Sequence, residues 1–330
     1  MKISIEALRQ TSLKALRYYG YSNSEAPVIL DVLMYAQLRG NNQGVVKLIG
    51  AGLPKDPQAG AISIRKETPV STSVDGAHNL GMIVMKRATE IAVEKARTHG
   101  IGIVGTNNTN SSTGAIGYYA HQIAADGWIG IVASGSFEIV AMYGSYEPLF
   151  GTNPIAFGIP TQESPLVFDM ATSAMARYGV VEAQMAGRPL PDDVAYDKAG
   201  QPTTDPKAAL EGAIRAFGGY KGAALALIIE ILTHQLVGTS LDANGRKVDW
   251  GNLILALDPA LLVERDEFYA DVSELLKRVK NAWKLSEVDE ITVPGERGDR
   301  ILQEALRTGE IEIEDNLWRE LQAVADRYKE

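Results

Sequence analysis

The sequence predicts a mixed α/β fold, on three observations. Strand-like and helix-like segments alternate, with strand, polar loop, helix and strand following one another between residues 101 and 133. Amphipathic helical patterns occupy both ends of the chain. No repeat, low-complexity tract or clean linker divides the 330 residues.

The elements follow in order. Ile5 to Tyr19 repeats apolar residues at three- and four-residue spacing, and Gly20 stops the helix. Ser24 caps a second helix, with Glu25 in its first turn, running through Val28, Leu30, Leu33 and Met34 to about Leu38. Arg39 to Gly44 is a turn cluster too poor in apolar residues to be core. Strand-like stretches follow near Ser63 and Ser71, and Gly81 to Thr98 is a strong amphipathic helix closed by His99-Gly100. Ile101 to Gly105 reads as a short buried strand that runs into the polar loop Thr106 to Thr113. Ala115 to Ala125 is helical, and Ile129 to Ala133 is a strand. Glycine and proline punctuate Tyr143 to Pro165, after which Leu166 to Asp169 is a strand ending in a carboxylate. Pro189 to Pro206 reads as a surface excursion, Ala223 to Val237 as an apolar helix, and Asn252 to Leu257 as a buried strand. Asp266 to Trp283 and the tail from about Asp299 complete the helical set.

Composition narrows the function. Lys and Arg number 32 against 41 Asp and Glu, a net charge of −9, which argues against a nucleic-acid binder because no basic face is present. The lack of cysteine excludes disulfides, thiolate nucleophiles and cysteine-bound metals. Met1 to Glu6 lacks the features of a signal peptide, and the strongest apolar run, Ala223 to Leu232, is interrupted by Glu230. A soluble cytoplasmic enzyme without membrane contact is the expectation. The four histidines are not spaced as metal ligands, so no metal is expected.

Local motifs are sparse. Gly100 and Gly102 flank a strand and do not open a helix, so the dinucleotide fingerprint of a Rossmann fold is missing. Walker, HExxH and GxSxG motifs are absent as well. Gly218-Gly-Tyr-Lys-Gly222 before a helix reads as an anion site or as a tight turn that packs the helix. Asp169-Met-Ala-Thr-Ser173 follows a strand end, where ligands gather in α/β proteins.

In order, Gly151-Thr-Asn-Pro-Ile-Ala156, Asp169 to Ser173 with Ala176-Arg177, Pro202-Thr-Thr-Asp-Pro206, Gly218 to Gly222 with Glu230, and Val293-Pro-Gly-Glu-Arg297 resemble the type 2 malate/L-lactate dehydrogenase family. That family also contains ureidoglycolate and sulfolactate dehydrogenases, diketogulonate reductases and cyclic ketimine reductases. The resemblance implies a non-Rossmann nicotinamide-binding fold, a mixed sheet with helices from both chain ends, and a homodimer with composite sites. By the same likeness, residues 1–75 with 255–330 form a helical, dimerising part and 76–254 the nicotinamide-binding part. NAD or NADP would be held by Ser112, Thr113, Gly114, Asp169, Met170, Ala171, Thr172, Ser173, Lys221, Asp258, Gly295, Glu296 and Arg297.

The departures bear on the chemistry. The family's Ser-His-Gly after Arg-Gly is replaced by Asn41-Asn42-Gln43-Gly44, one residue shorter, and the arginine that follows appears as Lys47. Its Asn-His-Phe-Gly is replaced by Ser111-Ser112-Thr113-Gly114. Reducing a ketone creates an alkoxide that needs a proton donor, whereas an imine can be protonated before hydride arrives. The catalytic candidates are therefore Lys47, Gln43, Arg39, Ser112, Tyr119 and His121, with Arg39 and Lys47 as anchors for a small acid. Three readings stay open: a dehydrogenase of small 2-hydroxy acids, an imine reductase, and a nucleotide-binding protein without turnover.

Overall fold

The computed structural model describes residues 1–329. Seven strands form the central sheet, in the spatial order Ser63–Glu67, Ser71–Asp75, Ile101–Thr109, Trp250–Leu257, Ile129–Ser134, Ile155–Ile159 and Leu166–Met170. Only Ser71–Asp75 and Ile101–Thr109 run parallel; the other neighbours are antiparallel, so the sheet is mixed as expected.

Helices Gly81–His99 and Gly117–Ala125 pack on this sheet at very short range. The register explains how. Gly102, Ala256, Gly130 and Gly158 pair in one row across four adjacent strands. A Cβ on Gly102 would sit 2.0 Å from the carbonyl oxygen of Ala92, and one on Gly158 would sit 2.0 Å from that of Ala120. The glycine after Gly100 thus serves helix-on-sheet packing.

The chain ends meet, as the resemblance implies. Lys2–Ser4 pairs antiparallel with Glu310–Glu312. Helices Ile5–Tyr18, Glu25–Gln37 and Asp315–Ala325 bury Leu8, Leu16, Leu30, Leu33 and Leu321 in one core with Met82, Met85 and Ile123. The first helix begins where Ser4 Oγ accepts from the Ala7 amide at 3.1 Å. The second is capped from Ser22, not Ser24. Ser22 Oγ accepts from the Glu25 amide, and Glu25 Oε2 accepts from the Ser22 amide at 2.8 Å, a reciprocal capping box.

Four stretches differ from expectation. Ile101–Thr109 continues through residues read as loop, because its polar side chains find distant partners. Asn252 Nδ2 donates to Thr106 Oγ1 at 2.8 Å, and Asn107 Nδ2 donates to the Val237 carbonyl. Ile155–Ile159 is a full strand between two prolines that read only as punctuation. The excursion from Pro189 to Pro206 is not simply surface. Leu190, Val194 and Ala195 are buried with Val140, Phe150, Val180 and Ile214 in a second core under a small five-stranded sheet. Residues 63–75, expected on the helical side of the 75/76 division, supply two strands of the central sheet.

Candidate active site

The antiparallel arrangement brings five segments to one end of the central sheet. Ser111–Gly114, Ser134–Ser136 and Met170–Ala171 leave the ends of three strands there, while Trp250 and Pro154 enter two others. Asn41–Gln43, Lys47 and Ala176–Tyr178 close over them, leaving a cavity of about 490 Å³. A second, more polar cavity of about 450 Å³ adjoins it, sharing Asn41, Asn42, Ala115 and Asp169 and adding Arg39, Gly295 and Arg297.

The main cavity thus gathers Gln43, Lys47, Ser112, Thr113, Gly114, Asp169, Met170 and Ala171 from the sequence candidates. Lys47 is 3% exposed, and its amine makes no hydrogen bond or ion pair among the described residues. Its Nζ lies 3.9 Å above the Tyr178 ring. Burial first, and the Arg177 guanidinium second, push its pKa down to about 7. Asp169 opens onto both cavities with its carboxylate accessible there, while the protein packed around the cleft disfavours its charge and pushes the carboxyl up to about 6. The Gly117 amide donates to its Oδ2 at 2.7 Å, which pulls the other way. Position 117 must be glycine for this approach, since a Cβ would stand 2.9 Å from that oxygen.

Other candidates lie elsewhere. Tyr119 is fully buried and donates to the Thr113 carbonyl at 2.9 Å; burial pushes its phenol far above the ordinary value, so it holds the Ser112–Gly114 turn and does not offer a proton. His121 lines neither cavity. It packs against Tyr35, and burial and Arg39 lower its pKa. Arg39 belongs to the polar cavity, stacked 3.9 Å over Tyr35 and paired with Asp299 at 3.2 Å. It is not joined with Lys47.

Of the residues expected around the cofactor, Thr172 and Ser173 stand behind the wall. Thr172 Oγ1 donates to the carbonyls of Thr152 and Asn153, and Ser173 Oγ to that of Met175. Lys221 is exposed on the first turn of Tyr220–Glu230 and lines neither cavity; Gly218 and Gly219, both at positive φ, make the tight turn before it. Asp258 ends the strand that Trp250 begins, so it lies at the opposite end of the sheet, paired with Arg265 at 2.6 Å. Glu296 turns to Lys280 and Arg300, which hold its carboxyl down at about 2. Sequence reasoning gave no role to Arg177 and Tyr178, or to Phe137 and Trp250, an edge-on aromatic pair 5.4 Å apart. An arginine opening a helix just after Asp169 to Ser173 was the one available signal.

The two cavities are continuous through Asn41, Asn42, Ala115 and Asp169, with Gly295 and Arg297 at the polar end. Gly295 is at φ 85°, where a Cβ would stand 2.9 Å from the Val167 carbonyl oxygen. Arg297 beside it makes no ion pair among the described residues. Among those residues, no group of three His, Asp or Glu could hold a metal ion.

Comparison with known proteins agrees with this geometry. The malate/L-lactate dehydrogenase family model matches residues 3–322. The chain is 34% identical over 338 residues to malate/(S)-sulfolactate dehydrogenase of Methanothermus fervidus, covering 99% of this chain and 98% of that protein. It is 35% identical over 276 residues to Delta(1)-pyrroline-2-carboxylate reductase 1 of Burkholderia ambifaria, covering 79% and 81%. Malate dehydrogenase from Entamoeba histolytica superposes with a TM-score of 0.89 at 25% identity, over 99% and 98% of the two chains.

Proposed function

The chain belongs to the malate/L-lactate dehydrogenase family and is a nicotinamide-dependent oxidoreductase, and from that premise we propose how its site works. It transfers a hydride between NAD or NADP and a small 2-hydroxy or 2-oxo acid, with Lys47 giving and taking the proton at the substrate oxygen. One observation carries this reading: Lys47 is an unpartnered amine on the cavity wall with a pKa near 7, where a general acid–base group works best.

The residues divide the task. Gly295 and Arg297 hold the anionic part of the dinucleotide in the polar cavity. Asp169, at the junction, and the backbone of Ser112–Gly114 and Met170–Ala171 orient its other half in the main cavity. Bound there, the nicotinamide supplies or accepts the hydride at the substrate carbon. In reduction, Lys47 Nζ passes its proton to the carbonyl oxygen and is recharged from water; in oxidation, the neutral amine takes the hydroxyl proton. Phe137 and Trp250 form one aromatic side of the cavity.

A second reading has its own observation. Gln43 lines the cavity where the family carries histidine, and a neutral amide donates no proton at pH 7. An imine that arrives protonated needs none, and one relative is a pyrroline-2-carboxylate reductase. The test is NADH and NADPH oxidation with small 2-oxo acids, with and without ammonia or methylamine, and with cyclic imino acids. Turnover of 2-oxo acids alone supports the first reading. Turnover only with an amine or a cyclic imine replaces it with the second, and nucleotide binding without any turnover leaves a silent protein.

The same proposal includes a homodimer. Helix Tyr220–Glu230 is apolar all round, which in a folded protein means burial on every side. In one chain it leaves Leu227 and Ile228 exposed, continued by Ile231 and Leu236. A second copy would cover this face, and light scattering at micromolar protein would then give twice the 35.6 kDa chain mass.

A further inference from the structure

The main cavity has two unlike sides. Among the described residues that line it, the charged ones are Lys47, Asp169 and Arg177, and Asp169 stands at the junction with the polar cavity. Another part of the wall is made by Phe137, Ile139, Pro154 and Trp250, none of which carries a charge. The Phe137 and Trp250 rings meet edge to face there, 5.4 Å apart.

The chain turns its polar groups away from this aromatic side. Trp250 Nε1 is buried and has no partner, so the indole offers only carbon to the cavity. Ser134 Oγ donates to Asn252 Oδ1 at 2.7 Å, inside the sheet, and Ser136 Oγ accepts from the Thr152 amide at 3.2 Å. The aromatic pair is also held from behind. The Gly135 amide donates to the Gly251 carbonyl at 2.9 Å, which ties residues 134–137 to the strand that Trp250 begins. A Cβ on Gly135 would stand 2.9 Å from Thr233 Oγ1, so the approach is close. Phe137 is nonetheless 45% exposed, a large apolar ring left uncovered at the cavity.

Strand spacing separates this side from the polar cavity. The strand of Trp250 lies three places from that of Asp169 in the central sheet, about 14 Å at 4.8 Å per strand. A dinucleotide that enters through the polar cavity reaches Asp169 first, and the substrate lies beyond it. A nicotinamide ring and a three-carbon acid, about fifteen non-hydrogen atoms together, are smaller than the drug-sized ligands that pockets of about 490 Å³ enclose. They leave the aromatic side uncovered.

We propose that Phe137 and Trp250 bind the side chain of the substrate, and that this side chain is bulky and apolar, either aromatic or branched aliphatic. The inference rests on the 2-oxo acid reading given above and deepens it. With Lys47 given to the proton, Arg177 is the one cation left among the residues of the main cavity. A dicarboxylic or sulfonated acid would press its second anionic group against uncharged carbon, desolvated and unpaired. An aromatic ring in the same place gives up water and meets an edge-to-face partner. The reaction is unchanged, with hydride going to the oxo carbon and the proton to its oxygen; the aromatic pair decides which acid undergoes it.

The test is kcat/KM for phenylpyruvate, 4-methyl-2-oxopentanoate, pyruvate and oxaloacetate, with the full chain and saturating NADH or NADPH. The first two should exceed the last two by about tenfold or more, the discrimination that a few apolar carbons in a matching pocket give. Phe137→Ala should lower the ratio of phenylpyruvate to pyruvate about tenfold, with nucleotide affinity within about twofold as the check on folding. Phe137→Arg sets a cation on the apolar side and should raise oxaloacetate relative to phenylpyruvate by about the same factor. Pyruvate or oxaloacetate turning over best in wild-type protein would overturn the proposal and leave the 2-oxo acid reading standing. Equal losses for every substrate in Phe137→Ala, together with weakened nucleotide, would give the ring to the nicotinamide and overturn it as well. Wild-type protein that turns over no 2-oxo acid without an amine would overturn the 2-oxo acid reading, and the proposal with it.

Discussion

A lysine held near pKa 7 is a liability to the fold, and Lys47→Met measures it. In the unfolded chain the amine titrates at its ordinary 10.5; in the folded protein burial and Arg177 bring it to about 7. The folded state therefore binds fewer protons than the unfolded state between those two values. Stability should rise with pH across that window, from about 7 towards 10, and lose the benefit again as pH falls to 7. The gap of 3.5 units corresponds to at most about 5 kcal/mol of destabilisation below pH 7, at 1.36 kcal/mol per unit. Cavity water lowers that figure. Methionine keeps the length of the side chain and can lie on Tyr178, so the variant should be more stable than wild type at pH 6 by up to this amount, and the difference should vanish by pH 10. Urea unfolding at five or six pH values reads the effect directly. The same variant should lose about 10²–10⁴-fold in kcat for reduction of its best 2-oxo acid, the range for losing a general acid. A variant less stable than wild type at pH 6, or a stability difference independent of pH, would refute the picture of a strained, unpartnered amine.

Further outcomes follow from the same geometry. In the free wild-type enzyme, kcat/KM for 2-oxo acid reduction should fall above about pH 7, while kcat/KM for hydroxy acid oxidation should rise through it; pH-rate profiles in both directions check the opposed signs. Gly158→Ala should destabilise by about 3 kcal/mol or more, because its Cβ would stand 2.0 Å from the Ala120 carbonyl oxygen. Gly60→Ala, whose Cβ meets only Ala77 at 3.7 Å, should leave the melting temperature near that of wild type. Lys247→Met should cost about 3–5 kcal/mol in urea unfolding, since it strands Glu230, a buried carboxylate bound to Lys247 at 2.9 Å and to Asn153.

The sequence was legible wherever structure is decided locally. Apolar composition located Ile101, Ile129, Leu166 and Asn252 in strands, and periodicity located the helices of both ends. It misread Thr106 to Thr109 because the groups that satisfy the Thr106 and Asn107 side chains and the Asn108 amide, at Asn252, Val237 and Asp249, lie more than 100 residues away. Ile155–Ile159 was hidden by Pro154 and Pro160, which end up just outside the strand, and by Gly158, whose bareness admits a helix. The walls of the cavity were readable as ordered motifs. The proposed proton donor was not readable in the same way, because Lys47, Tyr119 and His121 all lie near those motifs in sequence. Only packing separates them: Tyr119 turns into the core, His121 turns to Tyr35, and Lys47 alone keeps its polar end on the cavity.

On the reading proposed above, that separation gives Lys47 the proton work that the neutral Gln43 amide cannot do. Histidine titrates near neutrality without help, whereas lysine must be moved by more than three units to do so. The cavity supplies the displacement with two neighbours that are adjacent in sequence. Tyr178 covers the amine and removes its water, while Arg177 adds repulsion. Both sit at the start of one helix, so the position of that helix tunes the lysine, and a substitution there should alter chemistry without touching the nucleotide.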